Sequence, residues 1–254
     1  EGIAAEGLTP VMEAFLDQGA SQCGFCSPGF IVALTGFLVE GHIDPVSALV
    51  SIEGNLCRCT GYGSIRRAAE LLAKDFAELP KDLKERLEVL GRRKVLPESL
   101  AALMTDLPQP GSIPTAAPED LNLGGGTDWF VKNPDPEPGA EVAFTKLQKG
   151  LDRIERRGDV LEIGAAVTVR SFFEHPRIRA FAPGIEAFEA RVASLPIRNR
   201  ATLAGNVVNA SPIADMTAFL LALDARARLR SASGPRDLPL SEFFLGYKKT
   251  ALKE

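Results

Sequence analysis

The sequence predicts an α+β protein in two parts. A bundle of four short helices occupies residues 1–80, an α/β domain occupies 119–254, and a linker at 81–118 joins them. Three observations carry this. Helix-start residues and apolar stripes at helical spacing follow one another through the first part. Pro97, Pro108, Pro110, Pro114 and Pro118 break any long element in the middle. From Leu121 onward, short apolar runs alternate with glycine turns and helix starts, the pattern of an α/β domain.

In the first part, Thr9-Pro10 starts a helix that carries Val11, Phe15 and Leu16 on one face and ends at Gly19. Ser27-Pro28 starts a second, with Phe30, Ile31, Leu34, Phe37 and Leu38 as its stripe and Gly41 as its stop. Asp44-Pro45 starts a third, short one that ends at Gly54. Residues 64–76 form a fourth, with Ile65, Ala68, Ala69, Leu72 and Ala73 inward. The linker includes a charged, helix-prone stretch at 81–90 and is expected to lie on the surface. In the second part, residues 121–123 and 142–147 read as strands. Residues 151–154 and 160–163 read as a hairpin about Arg157-Gly158-Asp159. Thr168 caps a helix, residues 177–191 are mostly helical with a break at Pro183-Gly184, and Ser211-Pro212 starts a further helix. A last hairpin pairs 225–231 with 238–240.

The chain has 254 residues, enough for two ordinary domains. A net charge of −4 argues against a nucleic-acid partner, which needs clustered excess Lys and Arg. The longest apolar run, 28–39, falls short of the ~20 residues that span a bilayer. No targeting pattern is found, and the expected compartment is the cytoplasm. Because residue 1 is Glu rather than Met, the chain is expected to be a piece of a longer polypeptide.

All four cysteines lie in two short stretches, Cys23-Gly24-Phe25-Cys26 and Cys57-Arg58-Cys59. Four are too few for a disulfide scaffold in a chain of this length. A metal ligand must be a thiolate, and loops ahead of helix N-termini favour thiolates. Both pairs sit at such places, Cys23 and Cys26 ahead of the second helix, Cys57 and Cys59 ahead of the fourth. The one-residue separation of Cys57 and Cys59 suits two ligands reaching one metal. The spacing leaves zinc and an iron–sulfur cluster both open. Gly124-Gly125-Gly126 after a strand is either an ordinary turn or a place where backbone amides approach a phosphate. It is not a G-x-G-x-x-G fingerprint. Gly205 and Asn206 suit a tight loop. Ser211 can cap the following helix, whose N-terminus would favour a pyrophosphate, or be no more than a cap, and Asp215 can face ribose hydroxyls or the helix dipole. His42 and His175, far apart, support no acid–base site. Arg191, Arg198 and Arg200 face either phosphate or water.

The stretches Cys23-Gly24-Phe25-Cys26-Ser27-Pro28-Gly29-Phe30 and Asn55-Leu56-Cys57-Arg58-Cys59-Thr60-Gly61-Tyr62 resemble the second [2Fe–2S] domain of the molybdenum hydroxylases, the xanthine dehydrogenase and aldehyde oxidase family. Gly124-Gly125-Gly126-Thr127-Asp128 and the stretch from Ala201 to Asp215 resemble the two FAD-binding segments of the same family, and residues 241–250 resemble a later segment of that flavin domain. The resemblance implies that Cys23, Cys26, Cys57 and Cys59 ligate a [2Fe–2S] cluster. It implies that Asn122, Leu123, Gly124, Gly125, Gly126, Thr127, Asp128 and Trp129 wrap the FAD pyrophosphate. It implies that Ala201, Thr202, Gly205, Asn206, Ser211 and Asp215 line the rest of that cofactor. One departure stands out: Val192 falls where relatives that use NAD often carry an aromatic residue against the flavin ring, with Phe188 one turn away.

The implied activity is that of an oxidoreductase: the electron-transfer, iron–sulfur/FAD subunit of a xanthine dehydrogenase-like hydroxylase. A large partner subunit would carry molybdopterin in a hetero-oligomer, and NAD would be the electron acceptor. The flavin domain is expected to be incomplete at its C-terminus. The alternatives are a related hydroxylase acting on an aldehyde or another heterocycle and, of a different class, a zinc-stapled nucleotide-binding protein without redox function.

Overall fold

The computed structural model describes residues 2–97, 99–100, 121–135, 142–144, 150–231 and 234–252. The chain divides into two compact units, Glu1–Gly111 and Ser112–Glu254. Each has its own core.

The first unit is helical: α1 (Pro10–Asp17), α2 (Ser27–Glu40), α3 (Pro45–Ser51), α4 (Gly63–Asp75) and α5 (Leu83–Arg92). The starts are set locally. Thr9 accepts a hydrogen bond from Met12 N, and Asp44 accepts from Val46 N and Ser47 N, so side chains satisfy first-turn amides that no helix bond can reach. Gly41, at φ 81°, ends α2 in the left-handed conformation that glycine adopts without a Cβ clash. The stripes predicted on the first, second and fourth helices meet in one core through Val11, Phe15, Phe30, Leu34, Leu38, Ile65, Ala69 and Leu72.

The expected linker is corrected over its first part. Leu87 and Leu90 of α5, with Val95 and Leu96 beyond it, are buried in the same core. Arg86 is buried too. Its guanidinium donates to the carbonyls of Val39, Pro80 and Lys81, each at 2.8 Å, which ties α5 to the end of α2. Pro108, Pro110, Pro114 and Pro118 lie outside the described residues.

The second unit mixes short strands and helices. β1 (Leu121–Leu123) pairs in parallel with β2 (Val142–Phe144). The rest of the strand expected at 142–147 lies outside the described residues. β3 (Ile154–Arg157) and β4 (Val160–Ile163) form an antiparallel hairpin, its first strand a few residues later than expected. β5 (Arg226–Ser231) and β6 (Gly234–Pro239) form another, and β7 (Phe244–Gly246) pairs with β8 (Lys249–Thr250). Thr168 caps helix Val169–Glu174 by accepting from Ser171 N. Phe172, Phe173, Ile178, Leu203 and Met216 build the main core, and Val207, Leu240 and Phe243 a smaller one.

Among the described residues, no helix is long and apolar enough to cross a membrane.

Candidate iron–sulfur and flavin sites

In the first unit, the α1–α2 loop carries Cys23 and Cys26, and the α3–α4 loop carries Cys57 and Cys59. Cys26 is the N-cap of α2. The loops are held together at their motif residues. A Cβ on Gly29 would lie 2.9 Å from Asn55 Nδ2, so the glycine of one motif makes room for the asparagine of the other. Cys59 Sγ lies 3.4 Å from Cys23 Sγ, and the Cys26 and Cys57 thiols are hydrogen-bonded. The thiols therefore meet as two pairs, each with one member from each loop.

Among the described residues, no three His, Cys, Asp or Glu side chains converge to hold a single ion. Four thiols contributed two by each loop match the four cysteine ligands that a two-iron cluster takes. Burial is graded across the pairs: Cys57 is buried, Cys26 half-buried, and Cys23 and Cys59 exposed. Phe25 and Leu56, next to the cysteines, are exposed apolar side chains, at 94% and 76%.

Hydrogen bonds and burial set the thiol acidities. Cys57 is pushed down to about 7, first by the Thr60 hydroxyl and then by the Thr60 and Cys59 amides. Cys23 is lowered, chiefly by the Phe25 amide. Cys26 is raised, chiefly by burial, and Cys59 is raised by its contact with Cys23. Thr60 and Tyr62 carried no role in the sequence reading, although both lie inside the second motif. Tyr62 begins α4 from a left-handed φ of 66°, and its phenol accepts from Cys57 N at 2.9 Å.

In the second unit, β1 runs into Gly124-Gly125-Gly126, and Asp128 is the residue just before helix Trp129–Lys132, without a side-chain bond to its first-turn amides. The loop packs against the segment that begins at Arg200. A Cβ on Gly124 would meet the Thr202 hydroxyl, and one on Gly125 would meet the Arg200 carbonyl. Arg200 Nε in turn donates to Gly125 O at 3.4 Å. So the structure brings together the two stretches that the sequence set 75 residues apart. Thr202 caps helix Leu203–Val208 through Gly205 N at 3.0 Å, which places Gly205 and Asn206 in a helix rather than the expected tight loop.

Asn206 Oδ1 accepts from Thr217 N and from the Thr217 hydroxyl, both at 3.0 Å. That carboxamide serves the start of helix Asp215–Ala222, whose N-cap is Ala214. The expectation that Ser211 caps this helix is corrected: Ser211 Oγ accepts from Ile213 N at 3.4 Å, one turn early. Asp215 is exposed in the helix's first turn. Ala210 bends the chain at a left-handed φ of 49°, a conformation that costs a non-glycine residue about 1–2 kcal/mol.

Asp128 is held below the usual carboxylate range, first by its hydrogen bond with Lys132 at 3.0 Å, and also by one from Asn209. Asn209 and Lys132 thus join the site, and sequence reasoning assigned neither. Thr127 and Trp129 are half-buried beside the loop, and the ring of Trp129 stands edge-on to Phe130. Asn122 lies on β1, paired with Ala143. Arg198 is buried and donates to the carbonyls of Val192 and Ala193, so it faces neither phosphate nor water. Val192 is itself a core residue, and Phe188 stacks on Phe219 at 5.4 Å.

Residues 97–254 match the FAD binding domain in molybdopterin dehydrogenase, and residues 1–70 match a [2Fe-2S] binding domain. The chain belongs to the molybdopterin dehydrogenase (molybdenum hydroxylase) family. It carries that family's [2Fe–2S]-binding and FAD-binding domains, which sets the zinc alternative aside.

Xanthine dehydrogenase 1 of Arabidopsis thaliana is 26% identical over a 321-residue alignment that covers 96% of this chain and 23% of that protein. Nicotinate hydroxylase hnxS of Emericella nidulans is 24% identical, covering 96% of this chain and 26% of that protein. A probable xanthine dehydrogenase subunit from Bacillus subtilis is 47% identical over 73 residues, 27% of this chain and 40% of that one. The chain spans about a quarter of the length of the first two relatives.

The residues present fit both groups by their chemistry. Four thiols in two pairs suit a two-iron cluster. A glycine loop set against Thr202, with the Thr127 and Ser211 hydroxyls nearby in sequence, offers the amides and hydroxyls that a dinucleotide's phosphates take.

Proposed function

We propose that Cys23, Cys26, Cys57 and Cys59 hold the [2Fe–2S] cluster, and that Asn122, Leu123, Gly124, Gly125, Gly126, Thr127, Asp128, Trp129, Ala201, Thr202, Gly205, Asn206, Ser211 and Asp215 line the FAD. In this reading the chain is the electron-transfer part of a xanthine dehydrogenase-like hydroxylase. A partner subunit carries molybdopterin and oxidises a purine, and NAD takes the electrons from this chain. The observation that carries the reading is the meeting of the four thiols as two pairs, one from each loop.

When bound, a cluster passes electrons singly and a flavin exchanges them singly or in pairs, so together they can link a molybdenum centre to a two-electron acceptor. The chain's own residues do simpler work. The two cysteine loops fix four sulfurs. The Gly124–Gly126 loop and the Thr202 cap present main-chain amides. Exposed Phe25 and Leu56, next in sequence to Cys26 and Cys57, suit contact with a protein partner.

A second reading is favoured by a specific comparison. A relative named for nicotinate hydroxylation is nearly as similar as those named for xanthine, so the partner's substrate could be another heterocycle. Co-purification of the partner subunit, followed by assays of hypoxanthine, xanthine and nicotinate with NAD or oxygen as acceptor, separates the two. Purine turnover coupled to NAD supports the first reading. Turnover of nicotinate alone supports the second. NAD inert while oxygen works would attach function to buried Val192, where an aromatic residue is missing.

A further inference from the structure

We propose that Thr60 sets the reduction potential of the cluster by donating its hydroxyl hydrogen to Cys57 Sγ, so that it is a potential-tuning, positioning residue rather than a ligand. This rests on the reading that the four cysteines hold the cluster. The contact itself is 3.2 Å, and in the free thiol either partner could donate. A thiolate on iron can only accept, so the hydroxyl hydrogen must then point at sulfur.

The neighbouring groups favour that orientation. Tyr62 N donates to Thr60 Oγ1 at 3.2 Å, which fills the acceptor side of the hydroxyl and polarises it toward sulfur. Thr60 N lies 3.5 Å from the same Cys57 Sγ, a second donor on one atom. The tyrosine is locked in turn: its phenol accepts from Cys57 N at 2.9 Å, so the loop is closed on itself from Cys57 to Tyr62. Tyr62 holds a left-handed φ of 66°, a conformation that persists only when its surroundings fix it.

The site is also asymmetric. Cys57 is the buried thiol, whereas Cys23 and Cys59 are exposed. In a buried place a hydrogen bond to sulfur acts with less competition from water, so its effect on charge is larger. One-electron reduction adds a negative charge shared with the sulfurs, and a donor to sulfur stabilises that form and raises the potential.

The test uses the full chain reconstituted anaerobically with iron and sulfide, wild type beside Thr60→Val and Thr60→Ser. Reduction is followed by EPR during a dithionite titration, and the Fe–S(Cys) stretches by resonance Raman in H2O and D2O. The expected result is a cluster-loaded Thr60→Val whose midpoint potential is lower than wild type, with a smaller D2O shift, and a Thr60→Ser that recovers most of both.

A loaded Thr60→Val with unchanged potential and unchanged D2O shift overturns the proposal. If Thr60→Val does not load, the wild type decides. An Fe–S stretch sensitive to D2O that Thr60→Ser preserves supports the proposal, and one insensitive to D2O overturns it. A wild type that takes up no cluster at all sinks the assignment of the cysteines instead.

Discussion

Gly125 lies so tightly against the Arg200 carbonyl that no β-carbon fits between them. The obstacle is backbone, which cannot swing aside as a side chain can. Gly125→Ala should therefore push the glycine loop off the Arg200–Thr202 segment and destabilise the second unit by about 1–3 kcal/mol, the usual cost of overpacking. FAD affinity should fall with it, since the loop's amides are displaced. Fluorescence titration with FAD, alongside thermal unfolding, checks both. The parallel change Gly29→Ala meets only the tip of the Asn55 side chain and should be milder.

Asn206 should matter more for stability than for direct contact with the cofactor. Its Oδ1 supplies the hydrogen bonds that Thr217 N and the Thr217 hydroxyl make at the start of helix Asp215–Ala222. Asn206→Ala should cost about 1 kcal/mol, as loss of a helix cap does. Asn206→Asp keeps the oxygen and should cost less. Chemical denaturation of the three proteins gives the comparison, and equal loss in both variants would refute the capping account.

Asp44 gives a pH-dependent prediction. Burial pushes its carboxyl up, but the Ser47 hydroxyl and the amides of Ser47 and Val46 outweigh this and hold it below its ordinary value. A carboxyl with a depressed folded pKa adds stability above its unfolded value, near 3.9, and loses it as pH falls through the folded value. Asp44→Ala should thus cost about 1 kcal/mol at pH 7. The gap from wild type should close as pH drops below the unfolded value. Denaturation midpoints measured from pH 7 to pH 3 follow it.

Arg86 should behave as a core residue. It is buried, and three carbonyls accept from it. Arg86→Met removes a charge-assisted network and leaves acceptors unpaired, which should destabilise the first unit by about 2–3 kcal/mol. An exposed linker arginine would change stability by a few tenths. Thermal melting of the variant distinguishes the two.

Local signals were legible in the sequence and distant ones were not. Thr9, Asp44 and Thr168 cap helices through amides two or three residues on, so the chain itself announces those starts. The cysteine motifs are equally compact. What was misread depends on tertiary contact. Arg86 and its charged neighbours disguised α5 as surface, because the carbonyls that satisfy the guanidinium come partly from Val39 on α2, 47 residues away. Ser211-Pro212 has the form of a helix start, yet the cap comes from Asn206, 11 residues before Thr217. The pairing of Cys23 with Cys59 cannot be read from C-x-x-C and C-x-C at all, since spacing within a loop says nothing about which loop lies opposite.

The central claim is that the four thiols hold a two-iron cluster. Its most direct measurement is the visible absorption, metal content and low-temperature EPR of the full chain reconstituted with iron and sulfide, beside the variant Cys57→Ala. The account predicts a brown wild-type protein with iron and acid-labile sulfide in equal amounts, an EPR signal on reduction, and loss of all three in Cys57→Ala. A colourless wild type that instead retains zinc, or a Cys57→Ala variant with an unchanged spectrum, would contradict it.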